Sequence, residues 1–135
     1  MIDISIYNKI TQKIIGAAME VHNQLGFGFL EQVYQKAMEE ELRLRTISFL
    51  SQSPVKVFYK GKKIAVYVPD LVIENNIIVE IKALEIVNYE HIQMQIINYL
   101  VATKKDVGLY LNFGKEKLDF KRYIIPRKFQ SVNIR

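Results

Sequence analysis

The chain of 135 residues is half hydrophobic and 24% charged, with a formal net charge of +5, which is ordinary globular composition on enough chain for a core. It holds no cysteine, which excludes disulfides, thiolate metal sites and cysteine nucleophiles. No uninterrupted apolar run reaches membrane-spanning length and no basic-then-apolar leader surrounds Asp3, so a cytoplasmic protein without membrane association is the expectation. Apolar residues at Ile6, Ile10, Ile14, Ala17, Ala18, Val21 and Leu25 form a helical stripe that Gly26-Phe27-Gly28 ends. A second helix is expected from about Phe29 to Arg45, with Leu30, Val33, Tyr34, Ala37, Met38 and Leu42 inward and Glu39-Glu40-Glu41 mostly solvated. Thr46 to Ser53 reads as a polar connection with an apolar patch at Ile47 to Leu50. Pro54 to Tyr59 and Ile64 to Val68 read as strands about a Lys60-Gly61-Lys62-Lys63 turn, the second run continuing to Glu74. Ile77 to Ala83 is a further strand, Asn88 to Thr103 a helix with Ile92, Ile96, Tyr99 and Leu100 inward, and Asp106 to Asn112 and Phe120 to Ile125 are closing strands. The order helix, helix, three or four strands, helix, strand, strand predicts one domain over residues 1–135. Its class is α/β, a mixed sheet sandwiched by helices.

The stretch from Pro69 to Ala83 carries the chemistry. Ile77 to Ala83 is rich in β-branched residues and reads as a strand buried on both faces, yet Glu80 and Lys82 interrupt it. Their spacing of two puts both side chains on one face, with Val79 and Ile81 on the other. Charges set into a buried strand are costly unless paired or bound to something. Asp70 adds another acid in an apolar setting on the neighbouring run. A two-residue turn at Asn75-Asn76 would set Asp70 opposite Ile81, on the wrong face. A three-residue loop over Glu74, Asn75 and Asn76, or a bulge, sets it opposite Glu80. The odd-length arrangement is the prediction. Two carboxylates and a lysine so placed can hold a hard divalent cation and an activated water. The plain alternative is a Glu80–Lys82 surface pair on an exposed face.

The net charge is uneven. Residues 1–114 hold twelve Lys/Arg against twelve Asp/Glu, so the excess lies in residues 115–135, where Lys115, Lys117, Lys121, Arg122, Arg127, Lys128 and Arg135 face only Glu116 and Asp119. Such a basic segment suits contact with a phosphate backbone, or serves only as a solubilising tail. Glu31 sits in the first turn of the second helix, where the helix dipole favours an acid without any functional reason. Tyr34 reads as a core tyrosine. Gln95 and Tyr99 are an i,i+4 pair able to point together at the charged edge of the sheet. His22 and His91 have no second ligand at zinc spacing. His91 suits a cap or solvent role, and His22 a hydrogen bond to the chain reversal after the first helix. There is no phosphate-binding loop and no nucleophile elbow.

Taken together these residues resemble the GxxExxY family, a branch of the PD-(D/E)XK nuclease-like superfamily. The naming motif stands as Gly28-Phe29-Leu30-Glu31-Gln32-Val33-Tyr34, after I-I-G-A-A-M-E-V-H-N-Q-L-G, and the superfamily motif as Pro69-Asp70 with Glu80-Ile81-Lys82. Gln95 with Tyr99-Leu100, and G-L-Y-L-N-F-G with Lys121-Arg122, complete five elements in order over roughly residues 8 to 125. A histidine common three places before that glutamine is Ile92 here, and Thr46 stands where a glycine is expected. The resemblance implies a restriction-endonuclease-like core in which Asp70, Glu80 and the Ile81 carbonyl bind Mg²⁺ or Mn²⁺. It implies that Lys82 orients or activates the attacking water. Glu31 would touch the metal through water or hold Lys82, and Gln95 would help position water or phosphate. Tyr99, Lys121 and Arg122 would contact nucleic acid.

The first expectation is therefore a small metal-dependent nuclease acting on DNA ahead of RNA. One rival is a non-catalytic nucleic-acid-binding module that uses the basic C-terminus and shows salt-sensitive, metal-independent binding. Another is an interaction module, a homodimer included, joined through exposed apolar residues at Phe27, Phe29 and Ile47 to Leu50.

Overall fold

Residues 4–125 are described by a computed structural model. Two helices, α1 (Ile4–Leu25) and α2 (Glu31–Leu44), precede β1 (Phe49–Ser51), β2 (Val55–Tyr59), β3 (Lys62–Tyr67), β4 (Leu71–Ile73) and β5 (Ile77–Lys82). Then come α3 (Tyr89–Thr103), β6 (Val107–Asn112) and β7 (Asp119–Ile124). Five strands form one mixed sheet in the order β1-β4-β5-β6-β7, with β5 and β6 parallel and the other neighbours antiparallel.

The alternation of β5 and β6 assigns their side chains to two layers. Ile77, Val79, Ile81, Val107, Leu109 and Leu111 point to one face, where they pack with Ile14, Ala17, Ala18, Tyr34 and Met38 of α1 and α2. Ile78 and Tyr110 point to the other, where Ile92, Ile96 and Leu100 of α3 cover them. Burial on both faces explains why these two strands read as nearly continuous apolar runs. Helix α3 lies close to the sheet because β6 carries glycine at its crossing: a Cβ at Gly108 would stand 2.4 Å from a methyl of Ile96. The expected mixed sheet between helical layers is thus present.

Several expectations need correction. The segment Thr46 to Ser53 is not a mere connection: Phe49–Ser51 is an edge strand paired with β4, anchored by buried Ile47. Three residues are too few to display a strand period. The run from Ile64 to Glu74 is not one strand either. It breaks at Val68-Pro69-Asp70, so β2 and β3 form a separate two-stranded ribbon, proline having no N–H for a ladder. Leu30 and Val33 are exposed rather than inward, whereas Glu39 is buried rather than solvated. The imidazole of His22 binds the Lys115 carbonyl at 2.9 Å, not the turn after α1. The basic residues Arg127, Lys128 and Arg135, and the stop at Pro126, lie outside the described residues.

The connection between β4 and β5 is as expected. Ile73 pairs with Ile77 and Leu71 with Val79, leaving Glu74, Asn75 and Asn76 as a three-residue loop. Glu74 and Asn75 take positive φ angles of 53° and 58°, a conformation that asparagine tolerates better than most residues.

Candidate active site

Continuing that register by one pair sets Asp70, just before β4, opposite Glu80 on β5. The two residues lock each other. The Asp70 N–H donates to Glu80 Oε2 at 3.0 Å, and the Ile81 N–H donates to Asp70 Oδ2 at 2.7 Å. Asp70 is fixed at its carbonyl as well, which accepts the Gln52 N–H and the Gln35 side-chain amide, each at 3.0 Å. Within a strand the N–H and C=O of one residue point to the same lateral side. The Ile81 carbonyl is therefore directed toward the Asp70 side of β5.

Glu80 is only 3% exposed and shares the α3 face with Ile78, so it is no member of a surface pair. Burial first, and then the charge of Asp70, push its carboxyl up to about 8. Burial likewise raises Asp70, against the Ile81 N–H and the Lys82 charge, which lower it. Glu31, an exposed residue, is raised by partial desolvation and by Asp70, and lowered by Lys82. These three acids and Lys82 therefore feel one another, although Glu31 comes from α2 and the others from the sheet. From α3, the Tyr99 hydroxyl is held above its ordinary pKa by burial and by the nearby Glu80 and Asp70 charges, with Gln95 beside it acting to lower it. Gln95 Oε1 is buried and has no hydrogen-bond partner among the described residues. An orphaned buried acceptor beside this site is a place for a water or a ligand donor.

The loop of the G-x-x-E-x-x-Y motif has a physical basis. Gly28 takes φ +115°, closed to a side chain without strain. Tyr34 stacks on Phe113 at 4.7 Å, donates its hydroxyl proton to the Gly26 carbonyl at 2.7 Å and accepts the Phe29 N–H at 3.3 Å. This sets the start of α2, and Glu31 is its first residue. On the other side, the Phe113 N–H binds the Lys82 carbonyl, and buried Asn112 binds Leu84 through both its N–H and its carbonyl. The chain leaving Lys82 is thereby tied to β6.

Lys121 and Arg122 do not join this group. Lys121 pairs with Tyr110 and rests its ammonium 4.7 Å from the centre of the Tyr89 ring, while Arg122 faces the other way, to Asn8 of α1. Phe27, Phe29 and Leu50 are exposed, yet Ile47 is buried and Phe49 partly so, so Ile47 to Leu50 is no continuous apolar patch.

Three residues escaped the sequence reading. Gln35, buried on α2, donates to Asp70, to Glu39 at 3.0 Å and to Ser51 at 3.2 Å, and the Ser51 hydroxyl donates to Glu39 at 2.6 Å. Glu31, Gln35 and Glu39 recur every four residues, a polar stripe on an amphipathic helix that periodicity could have shown. Ser51 left no sequence signal.

Among the described residues no three Asp, Glu or His side chains gather into a metal cage. The donors present are hard oxygens, two carboxylates and a carbonyl, whose mutual repulsion a divalent cation would relieve, so they fit such an ion. The family model described as PD-(D/E)XK nuclease superfamily matches residues 8–123, and the chain belongs to that superfamily, whose nucleases generally use divalent metals. No curated protein matches the chain significantly. Among solved structures, that titled "Crystal structure of SSO0001" is similar, with 15% identity and a TM-score of 0.58, covering 77% of this chain. The chain spans 55% of the length of that one. The fold is restriction-endonuclease-like. Among the described residues no helix is long and apolar enough to cross a membrane.

Proposed function

We propose that this chain is a metal-dependent nuclease of the GxxExxY branch, hydrolysing phosphodiester bonds with DNA as the first substrate to test. The observation that carries the proposal is the Asp70–Glu80 pair, locked by reciprocal main-chain hydrogen bonds beside Lys82. Asp70, Glu80 and the Ile81 carbonyl would hold Mg²⁺ or Mn²⁺, which when bound supplies positive charge against the phosphate and acidity to water. Lys82 orients the attacking water and offsets charge on the scissile phosphate. Glu31 steadies the Lys82 ammonium through its charge. Gln95 accepts a hydrogen bond from that water at Oε1, or donates one from its amide nitrogen to a phosphate oxygen. Tyr99 borders the bound strand, and Lys121 and Arg122 meet nucleic acid farther along the sheet.

The test is calorimetry of Mn²⁺ on wild type and Asp70→Ala, followed by cleavage of single-stranded or nicked DNA with the same samples. Wild type should bind the ion and cleave, and the variant should do neither. Failure of the wild type to bind Mn²⁺ would sink the proposal. Salt-sensitive DNA binding without any cleavage would leave a non-catalytic binding module.

A further inference from the structure

The charge of residues 1–114 sums to zero, but its placement does not. The segment from Gln52 to Pro69, which includes the β2–β3 ribbon, holds Lys56, Lys60, Lys62 and Lys63 and no acid. All four lysines are exposed, as are Phe58 and Tyr59. The ribbon shares no ladder with the main sheet, and its last residue, Tyr67, stands three positions before Asp70. The rings of Tyr67 and Tyr99 meet edge-to-face with centroids 5.5 Å apart.

Between the ribbon and the outward side of α3 lies a groove of about 810 Å³, lined in part by Tyr67, Met94, Gln95, Ile97, Asn98 and Tyr99. Its volume is that of a small-ligand cleft. Among the described residues neither a carboxylate nor an ammonium lines it. The lining combines aromatic and thioether surface with the side-chain amides of Gln93, Gln95 and Asn98. Flat apolar contacts with a few amide donors and acceptors are what an unstacked nucleobase meets in proteins that bind single strands. Lysines without acids on the adjoining ribbon complement the phosphates that flank such a base.

We propose that this groove receives an unpaired nucleobase next to the scissile phosphate, with the ribbon lysines holding the strand. The proposal rests on the nuclease reading and gives it a substrate class, unpaired strands or strand ends ahead of continuous duplex. Aromatic stacking supplies the affinity, and the amides sense the edge of the base.

The experiment uses a single-stranded 12-mer carrying 2-aminopurine, with a blunt duplex of the same sequence as competitor, in EDTA. Its comparison proteins are wild type, Met94→Glu and the double variant Lys62→Glu/Lys63→Glu. Met94 is 69% exposed, so the glutamate leaves the fold intact, and matching thermal melts confirm it. The wild type should change the probe's emission and prefer the single strand about tenfold or more. Met94→Glu should weaken binding about tenfold, and the lysine variant should flatten the salt dependence. An unchanged emission, or affinity that both variants leave intact, overturns the proposal. So does capture of a second copy of the chain in the groove, seen as a dimer that Met94→Glu dissociates. Because binding is read without metal, the two readings separate. Probe binding that persists without cleavage in Mn²⁺ upholds the groove and counts against the nuclease. Single-strand cleavage in Mn²⁺ that Met94→Glu leaves untouched upholds the nuclease and discards the groove.

Discussion

Glu39 and Glu80 both expose little surface, at 5% and 3%, but Glu80 lies much the deeper of the two, and they respond in opposite ways. At Glu39 burial alone would raise the carboxyl, but the Ser51 hydroxyl, the Gln35 amide and the Lys36 ammonium together hold it below its ordinary range. Glu80 has one main-chain donor and the charge of Lys82 against burial, Asp70 and Glu31, and is driven well above that range. A buried acid given its donors is part of the framework. One left short of them, facing a second acid, stores electrostatic repulsion that a cation could release. The two are also linked, because Gln35 donates both to Glu39 and to the carbonyl of Asp70. The satisfied glutamate braces the unsatisfied pair.

The strongest way to break this contrast is to neutralise each acid without changing its shape. Glu80→Gln keeps an oxygen for the Asp70 N–H but removes a metal-holding charge. Cleavage should fall about 10³-fold, while the metal-free protein at pH 8.5 should melt higher than wild type. Glu39→Gln should do the reverse, lowering the melting temperature by removing charge-assisted bonds worth about 1.5–3 kcal/mol while leaving measurable cleavage. Loss of stability in both variants would place Glu80 in the framework too.

The pH dependence of metal-free stability sharpens the same point. A folded-state value near 8 for Glu80, against an ordinary 4.5, means the folded chain keeps a proton that the unfolded chain has released. Stability from this site is therefore full below about 4.5 and declines as pH rises through about 8. Glu39, held low, works the other way, its contribution being lost as pH falls below the ordinary carboxylate range. Thermal melts in EDTA from pH 5 to 9 should decline toward the alkaline end, and Glu80→Gln should flatten that decline. Added Mn²⁺ should raise the melting temperature more at pH 8.5 than at pH 6. A wild-type profile that rises to pH 9 in EDTA contradicts the assignment.

Gln35→Ala leaves both acids in place but removes a support of the Asp70 carbonyl and a donor to Glu39. Residues that orient ligands typically contribute about 10–100-fold in metal affinity, and a loss of that size is expected by calorimetry, with weaker cleavage at limiting Mn²⁺ that excess ion restores in part. A purely structural Gln35 would lower the melting temperature and leave the titration alone.

The difference in legibility between these sites follows from their geometry. Asp70, Glu80 and Lys82 stood out because charge in a β-branched run violates a local pattern, and the register followed from the period of two and the loop length. The layer order was legible for the same reason, since β5 and β6 are apolar on both faces. The Glu39 network was not. Glu39 lies in a run of three acids that looks solvated, and its partner Ser51 comes from a three-residue strand too short to announce itself. Nor was the ribbon's charge visible in a sum over 114 residues in which distant acids cancelled its lysines. Local violations are readable in a sequence, whereas satisfaction by distant partners needs the fold.

Ser51→Ala probes the weakest link between the two glutamates. The Ser51 hydroxyl makes the shortest bond to Glu39, at 2.6 Å, and also accepts from Gln35 at 3.2 Å. Ser51 is only partly buried, so water can replace the lost donor and the cost should stay near 1 kcal/mol. The carboxyl of Glu39 should rise on losing this bond, shifting the onset of acid unfolding to higher pH. Gln35 keeps its bonds to Glu39 and to Asp70, so Mn²⁺ affinity should fall by no more than a few-fold. A drop as large as that of Gln35→Ala would mean that the hydroxyl, and not the amide, fixes the position of Asp70, and the brace would then run through β1 rather than α2.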